Sequence, residues 1–146
     1  MTKLEHSMGF LLVRAARGMK RALDNELSDI GITASQHAVL SALAYKDGLS
    51  LTQIARRVFL DNPATTGLVD RLERDGLVER HRVSSDRRVI NIYLTTKGKS
   101  ILNTIDGIAT NLDMDVMSVL SHTERKTLRS MLNRIWDRAN GQKESV

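Results

Sequence analysis

The sequence predicts a mainly helical α+β chain that contains one small β-hairpin and has long helices at both ends. Three observations lead to this prediction. A single proline in 146 residues and apolar residues at helical spacing over most of the chain favour helices. Two of the helical segments meet at a tight turn near Asn62-Pro63. Directly after them, residues 78–94 change to the alternating pattern of a hairpin.

Composition limits the classes of protein to consider. Apolar residues make up 41% of the chain, enough for a hydrophobic core. No run of about 18 apolar residues occurs, which predicts no membrane span. We also find no apolar signal region followed by a small-residue cleavage site. The lack of cysteine excludes disulfides and thiolate metal sites. We expect one cytoplasmic domain, residues 1–146.

Positive charge is concentrated in the middle of the chain. The formal net charge is +5, and residues 50–100 hold ten Lys and Arg against six Asp and Glu. A basic excess that coincides with one set of structural elements is typical of nucleic-acid binding. Charge alone does not identify such a partner, because many basic proteins bind no nucleic acid.

The first two helices are predicted at residues 7–29 and 34–46. Gly31 ends the first helix, and Thr33 with Gln36 forms a capping box that begins the second. The second helix is apolar on nearly all sides and should be buried. The first carries an apolar stripe formed by Met8, Leu12, Ala15, Met19, Ala22 and Leu23.

A pair of shorter helices follows. Ser50 and Gln53 form a second capping box, and Pro63 should stop that helix near Leu60. Asn62 is predicted to cap the next helix, with Pro63 at its first position. Gly76 can take the left-handed conformation at its end. The predicted buried stripe of this helix is Ala64, Leu68, Val69 and Leu72.

The first turn of this helix presents Thr65 and Thr66, with Arg71 further along. A slim, hydrogen-bonding helix start is what a helix-turn-helix needs to enter a major groove about 12 Å wide. An ordinary pair of packed helices with a solvated face accounts equally well for these two helices taken alone.

A hairpin comes next, with candidate strands at residues 78–83 and 89–94. Between them lies a polar tip, residues 84–88, in which Asp86 and Arg88 share a face of the extended chain. Asp86 can therefore brace Arg88, and a braced arginine at a narrow tip suits insertion into a minor groove. A charged, solvated loop is the alternative.

Two more helices are predicted after the hairpin, the first at residues 96–120. Gly98 and Gly107 weaken it slightly. Ser121 and Glu124 form a third capping box, and the last helix carries the stripe Leu128, Met131, Leu132, Ile135 and Trp136. A small core cannot cover all of these apolar stripes, so we expect a two-fold homodimer.

At this point the chain resembles the MarR/SlyA family of winged-helix transcription regulators. Residues 86–95 fit the family's wing pattern of Asp-x-Arg, five residues and Leu-Thr without a gap, and residues 68–78 resemble the exit of its recognition helix. The resemblance implies a winged helix-turn-helix core at residues 33–95, with dimerisation helices at 1–30 and 96–146. It also implies binding to a pseudo-palindromic operator in double-stranded DNA, most often as a repressor.

For this chain, the resemblance implies a role for each part of the predicted DNA-binding surface. Thr65 and Thr66 would contact base edges, Arg71 and Arg74 would hold phosphates, and Arg88 would enter the minor groove. The full set of predicted DNA-binding residues is Thr52, Gln53, Asn62, Pro63, Ala64, Thr65, Thr66, Arg71, Arg74, Arg82, Ser84, Asp86, Arg87 and Arg88.

Members of this family often bind small aromatic acids between the dimerisation helices and the winged helix-turn-helix core. Arg14, Arg17 and His37 are candidates to meet the carboxylate of such an effector, with surface or packing duty as the alternative for each. No HExxH, Walker A or GxSxG motif occurs, and the histidines are dispersed, so we expect neither an enzyme nor a metal or cofactor site. The alternative hypothesis is a winged helix that binds an acidic protein partner instead of DNA.

Overall fold

The structure is a computed structural model that describes residues 2–141, apart from the side chain of Arg87. It has the predicted fold class, mainly helical with a small antiparallel sheet. The chain divides into two compact units, the first ending at Ala109 and the second beginning at Thr110. The helices are α1 (Met8–Leu27), α2 (Ala34–Tyr45), α3 (Leu51–Val58), α4 (Asn62–Arg74), α5 (Thr96–Met117) and α6 (His122–Asn140), and the strands are β1 (Leu49–Ser50), β2 (Val78–Val83) and β3 (Asp86–Leu94).

Local side-chain chemistry sets the start of α2. Gly31 ends the preceding turn with φ at 76°, a left-handed conformation that glycine adopts without a steric penalty. The predicted capping box is present, since the Thr33 Oγ1 accepts the Gln36 N–H at 3.1 Å. Asp24 of α1 accepts the Ala34 N–H at 2.7 Å and ties the two helices together.

The sheet has three strands in the order β1-β3-β2, where the sequence predicted only the hairpin of β2 and β3. The additional strand is two residues long, with Leu49 opposite Ile92 and Ser50 opposite Asn91. Two residues are too few to show an alternating pattern, so sequence periodicity had no means of finding β1.

The core of the first unit lies between the helices and the sheet. As predicted, α2 is buried on several sides, with Val39, Leu40 and Leu43 fully enclosed. Ile54 of α3, Leu72 of α4 and Ile92 of β3 close around it. The helix pair and the hairpin therefore rest on one packed core, which fixes their relative positions.

A tight joint connects the end of α4 to the start of α5. Gly76 has φ at 74°, and the Leu77 N–H donates to the Leu72 carbonyl at 2.9 Å, the 6→1 bond of a Schellman motif. The Thr95 hydroxyl donates to the Gly76 carbonyl at 2.6 Å. Gly98 is buried against the backbone of Leu77 and has no room there for a side chain.

The second unit contains the last helix, α6. Ser121 is its N-cap, and its hydroxyl accepts the Glu124 N–H at 3.1 Å. No residue of α6 is buried, although Met131, Leu132 and Ile135 form an apolar stripe along it. Within residues 2–141, no helix combines the length and the apolar character needed to cross a membrane.

Candidate nucleic-acid interface

The N-cap of α4 lies one residue before the predicted cap. Asp61, not Asn62, is the N-cap, and its Oδ1 accepts the Ala64 N–H at 2.7 Å. The prediction for Asn62 as the cap is therefore wrong. Pro63 then takes the second helical position, where a missing N–H still costs no helical hydrogen bond. Asn62 is exposed on the first turn, and its side chain is not needed as the cap.

The two threonines of the first turn have opposite environments. Thr65 is 0% exposed, and its hydroxyl donates to the Asp61 carbonyl at 2.8 Å. It cannot reach a base edge, so the predicted base contact of Thr65 is wrong. Thr66 is partly exposed and donates to the Asn62 carbonyl at 2.9 Å, which leaves its oxygen able to accept a hydrogen bond.

Ala64 and Thr65 have exchanged their predicted places. Ala64 was expected on the buried stripe of α4 but is exposed, whereas Thr65 is buried beside Leu68 and Val69. The surface that α4 presents in its first turns is therefore formed by Asn62, Pro63, Ala64 and Thr66. All four are small or compact, which keeps the helix start slim.

The arginines of α4 lie beyond this slim start. Arg71 and Arg74 are both exposed. The Arg74 Nε lies 3.6 Å from the Asp75 Oδ1, a distance typical of a weak surface ion pair that a phosphate can displace. Both guanidinium groups are free enough of the core to extend towards a DNA backbone.

The wing is the hairpin of β2 and β3, which turns at Ser84 and Ser85. The predicted brace is present: the Asp86 Oδ1 accepts the Arg88 backbone N–H at 3.0 Å and lies 3.4 Å from its Nε. The Arg88 side chain is 92% exposed. Arg82 and Ser84 are also exposed near the tip, whereas the side chain of Arg87 lies outside the described residues.

The N-terminus of α3 presents a further polar group. Gln53 closes the predicted capping box, because its Oε1 accepts the Ser50 N–H at 2.9 Å. Its side-chain amide nitrogen points away from that bond and keeps two N–H donors. Thr52 beside it is exposed. A helix N-terminus with such donors is suited to a phosphate.

Arg80 is the side chain that sequence reasoning missed. It lies on β2, yet it donates to the Asp70 Oδ1 at 2.6 Å and to the Glu73 Oε1 at 2.7 Å, both on α4. Desolvation lowers the pKa of Arg80, but the hydrogen bonds and the charges of Asp70 and Glu73 outweigh it, and its pKa is raised. No local sequence pattern reveals the bonds of Arg80 to Asp70 and Glu73, because they join a strand to a helix.

The three residues predicted to meet an effector lie in different surroundings. His37 on α2 has its Nε2 2.9 Å from the Asp106 Oδ1 of α5, and its side chain is mostly buried. Arg14 and Arg17 on α1 are exposed. An anionic ligand at His37 would therefore have to compete with a carboxylate that is already in place.

Comparison with known proteins gives a consistent result. The family model described as "MarR family" matches residues 30–89. The transcriptional regulator MhqR of Bacillus subtilis is 32% identical, over 92% of this chain and 93% of its own length. A MarR variant from E. coli solved with operator DNA is 27% identical, with a TM-score of 0.82 over 88% of this chain and 92% of its own. The S. aureus MepR–DNA complex is 26% identical, with a TM-score of 0.80 over 93% and 99%.

Proposed function

This chain belongs to the MarR family and is a DNA-binding transcription regulator, not an enzyme; we propose that it is a cytoplasmic repressor that a small anionic aromatic ligand releases from its operator. The main support for DNA recognition is that one packed core holds two suitable elements. These are the slim start of α4 and a wing that presents Arg88, braced by Asp86. A protein-docking role has no comparable support, since two solved relatives hold DNA.

The proposed interface follows the corrected geometry. Asn62, Ala64 and Thr66 lie in the major groove, Arg71 and Arg74 hold phosphates, and Arg88 enters the minor groove. Three further groups contact the DNA backbone at the edges of the interface: the α3 start with Thr52 and Gln53, the α4 start with Pro63, and the wing with Arg82, Ser84 and Arg87. Asp86 contributes by orienting Arg88.

The protein acts as a homodimer in this proposal. Residues 33–95 form the reading core, and the dimerisation helices lie within residues 2–30 and 96–141. In support, Met8 of α1 is 69% exposed, and Leu132 and Ile135 of α6 are 42% and 45% exposed within a single chain. Large apolar groups in this number on one soluble chain indicate a partner surface.

The proposed function is tested by a gel shift with the DNA that lies upstream of the protein's own gene, alongside random duplexes across a salt series. We expect one upstream fragment to bind at a salt concentration that releases random DNA. Equal affinity for all fragments at every salt concentration would leave only non-specific electrostatic binding.

Replacing Arg88 by alanine should weaken operator binding without changing the melting temperature. A groove contact of this kind contributes about 1–3 kcal/mol, and the exposed side chain contributes little to folding. Binding isotherms at one fixed salt concentration measure the loss. Arg21→Ala, which removes an exposed arginine of α1, is the control. Equal operator affinity of Arg88→Ala and Arg21→Ala would show that the wing does not read DNA.

Thr66 should govern the choice of sequence, whereas Arg71 and Arg74 should govern general affinity. Each arginine replaced by alanine should lower the slope of log affinity against log salt by roughly 0.9 per lost phosphate contact. Thr66→Val should keep the slope and reduce discrimination between operator and random duplex. If both kinds of variant lose discrimination equally, this division of labour is wrong.

An anionic aromatic effector should bind the free dimer more tightly than the DNA-bound dimer. With a coupling of about 1–3 kcal/mol it would weaken operator binding by about 5- to 150-fold. A thermal-shift screen of hydroxybenzoic acids identifies a binder, and titrations with and without operator give both affinities. Because coupling is reciprocal, operator DNA must reduce the affinity for the acid by the same factor. An acid that binds tightly but leaves operator affinity unchanged is not the effector.

A further inference from the structure

Arg80 occupies the corner between the two elements of the proposed interface. Only residues 75–77 separate the end of α4 from the start of β2. Alternate residues of a strand share a face, so Arg80 follows the buried Val78 and precedes the exposed Arg82 on the same side of β2. It therefore lies at the base of the wing, between the packed core and the wing tip.

The guanidinium of Arg80 bridges two turns of α4. Its Nη2 donates to Asp70 and its Nη1 to Glu73, at 2.6 and 2.7 Å, and the Arg80 side chain is only 21% exposed. Asp70 and Glu73 are three residues apart and neighbours on the helix surface. Because a guanidinium is a rigid planar fork, two such bonds fix the rotation of the strand relative to the helix as well as their separation.

We propose that Arg80 is a positioning residue that fixes the angle between α4 and the wing, so that Arg88 reaches the minor groove while α4 lies in the major groove. This inference rests on the proposed function. Arg80 differs from Arg74 and Arg88 in its bonds. Among the described residues, each of those two arginines has a single carboxylate, at 3.6 and 3.4 Å, whereas Arg80 donates to two carboxylates at 2.6 and 2.7 Å.

The charge of the two carboxylates makes the inference testable against simple electrostatics. Asp70 and Glu73 are negative groups on a helix that meets DNA, so removing them should strengthen binding if only charge mattered. If Arg80 positions the wing through them, their removal should weaken binding.

The experiment measures operator affinity at one fixed salt concentration for the full chain and its variants. We expect Arg80→Met to bind operator about tenfold more weakly or worse, the loss that one or two hydrogen bonds between charged groups correspond to. Arg80→Lys should recover only part of the affinity, since a lysine cannot hold both carboxylates in one plane. Arg21→Met is the matched control for the loss of one positive charge.

A double-mutant cycle gives the decisive readout. Arg88→Ala should cost less in the Arg80→Met background than in the parent, because a mispositioned wing has already lost part of that contact. The Asp70→Ala/Glu73→Ala variant should bind operator more weakly than the parent. Additive losses in the cycle, or tighter binding of operator by Asp70→Ala/Glu73→Ala, would each overturn the inference.

Two controls separate this inference from its premise. If the parent binds no operator, the proposed function has failed and not the role of Arg80. If circular dichroism shows that Arg80→Met does not fold, Arg80→Lys and Asp70→Ala/Glu73→Ala provide the test. An unchanged operator affinity in both variants would contradict the positioning role of Arg80.

Discussion

Replacing Ile135 by aspartate is expected to convert the protein from a dimer into a monomer and to remove specific DNA binding. Ile135 lies on the apolar stripe of α6 and is 45% exposed in a single chain. Fully burying such a side chain contributes about 1.5–3 kcal/mol, so covering the part of Ile135 that is still exposed contributes roughly half of that, and a two-fold interface loses it twice. The dimer should therefore lose about 1.5–3 kcal/mol, before the cost of burying a carboxylate is added.

Analytical ultracentrifugation measures the dimer directly, and a gel shift on the same samples measures operator binding. Ser130→Asp adds the same charge to the same helix, on the side opposite the stripe, and should remain dimeric. A loss of about 3 kcal/mol raises the dissociation constant of the dimer more than a hundredfold. A stable monomer for the parent chain, or an unchanged dimer for Ile135→Asp, would contradict the proposed dimer surface.

Replacing Gly98 by alanine is expected to lower the melting temperature sharply. A Cβ at this position would collide with the carbonyl of Leu77, which is backbone and cannot move aside like a side chain. The Leu77 backbone is itself held by its bonds to Leu72 and Thr95. Overpacking of this kind costs about 1–3 kcal/mol, which corresponds to a fall in Tm of roughly 3–12 °C for a chain of this length.

Gly107 provides the matched control in the same helix. A Cβ built there meets no described atom within 4 Å, so Gly107→Ala should gain about 0.5–1 kcal/mol from better helix propensity. The sequence assigned both glycines the same small helix-weakening effect, whereas the structure separates them. Differential scanning calorimetry of the two variants decides: similar melting temperatures for Gly98→Ala and Gly107→Ala would refute the tight joint.

The features that could be predicted from the sequence depend on local chemistry. The capping boxes at Thr33 and Ser50 and the turn at Gly76 each involve residues within five positions of one another. Their effect on the backbone is therefore visible in the order of residues alone. The brace of Arg88 by Asp86 has the same origin, because residues two apart on a strand share a face.

The errors in the candidate site come from choices that local rules leave open. Asp61 and Asn62 are both good caps, and the one that caps α4 depends on where the chain enters the helix. Thr65 lies three and four residues before Leu68 and Val69, so its position already belonged to the buried stripe. Its polar side chain led to the opposite prediction, but a threonine can bury its hydroxyl by donating to a carbonyl one turn earlier.

The contacts between different helices and strands could not be predicted from spacing rules. Arg80 meets Asp70 and Glu73 only because β2 folds back along α4. Likewise, Leu49 pairs with Ile92 across more than forty residues. No spacing rule relates such residues in one sequence, so these features require the packed core to be known.

The most direct test of DNA reading by α4 and the wing is selection of bound sequences from a pool of random duplexes by the full-length protein at physiological salt. If the protein is a dimer with two reading cores, we expect the selection to enrich an inverted repeat. Its half-sites should lie about one DNA turn apart, roughly 34–36 Å from centre to centre. The Arg88→Ala variant should enrich the same repeat more weakly, with lost preference at the positions that face the wing. A pool that stays random after repeated rounds, although it binds at low salt, would contradict sequence-specific reading.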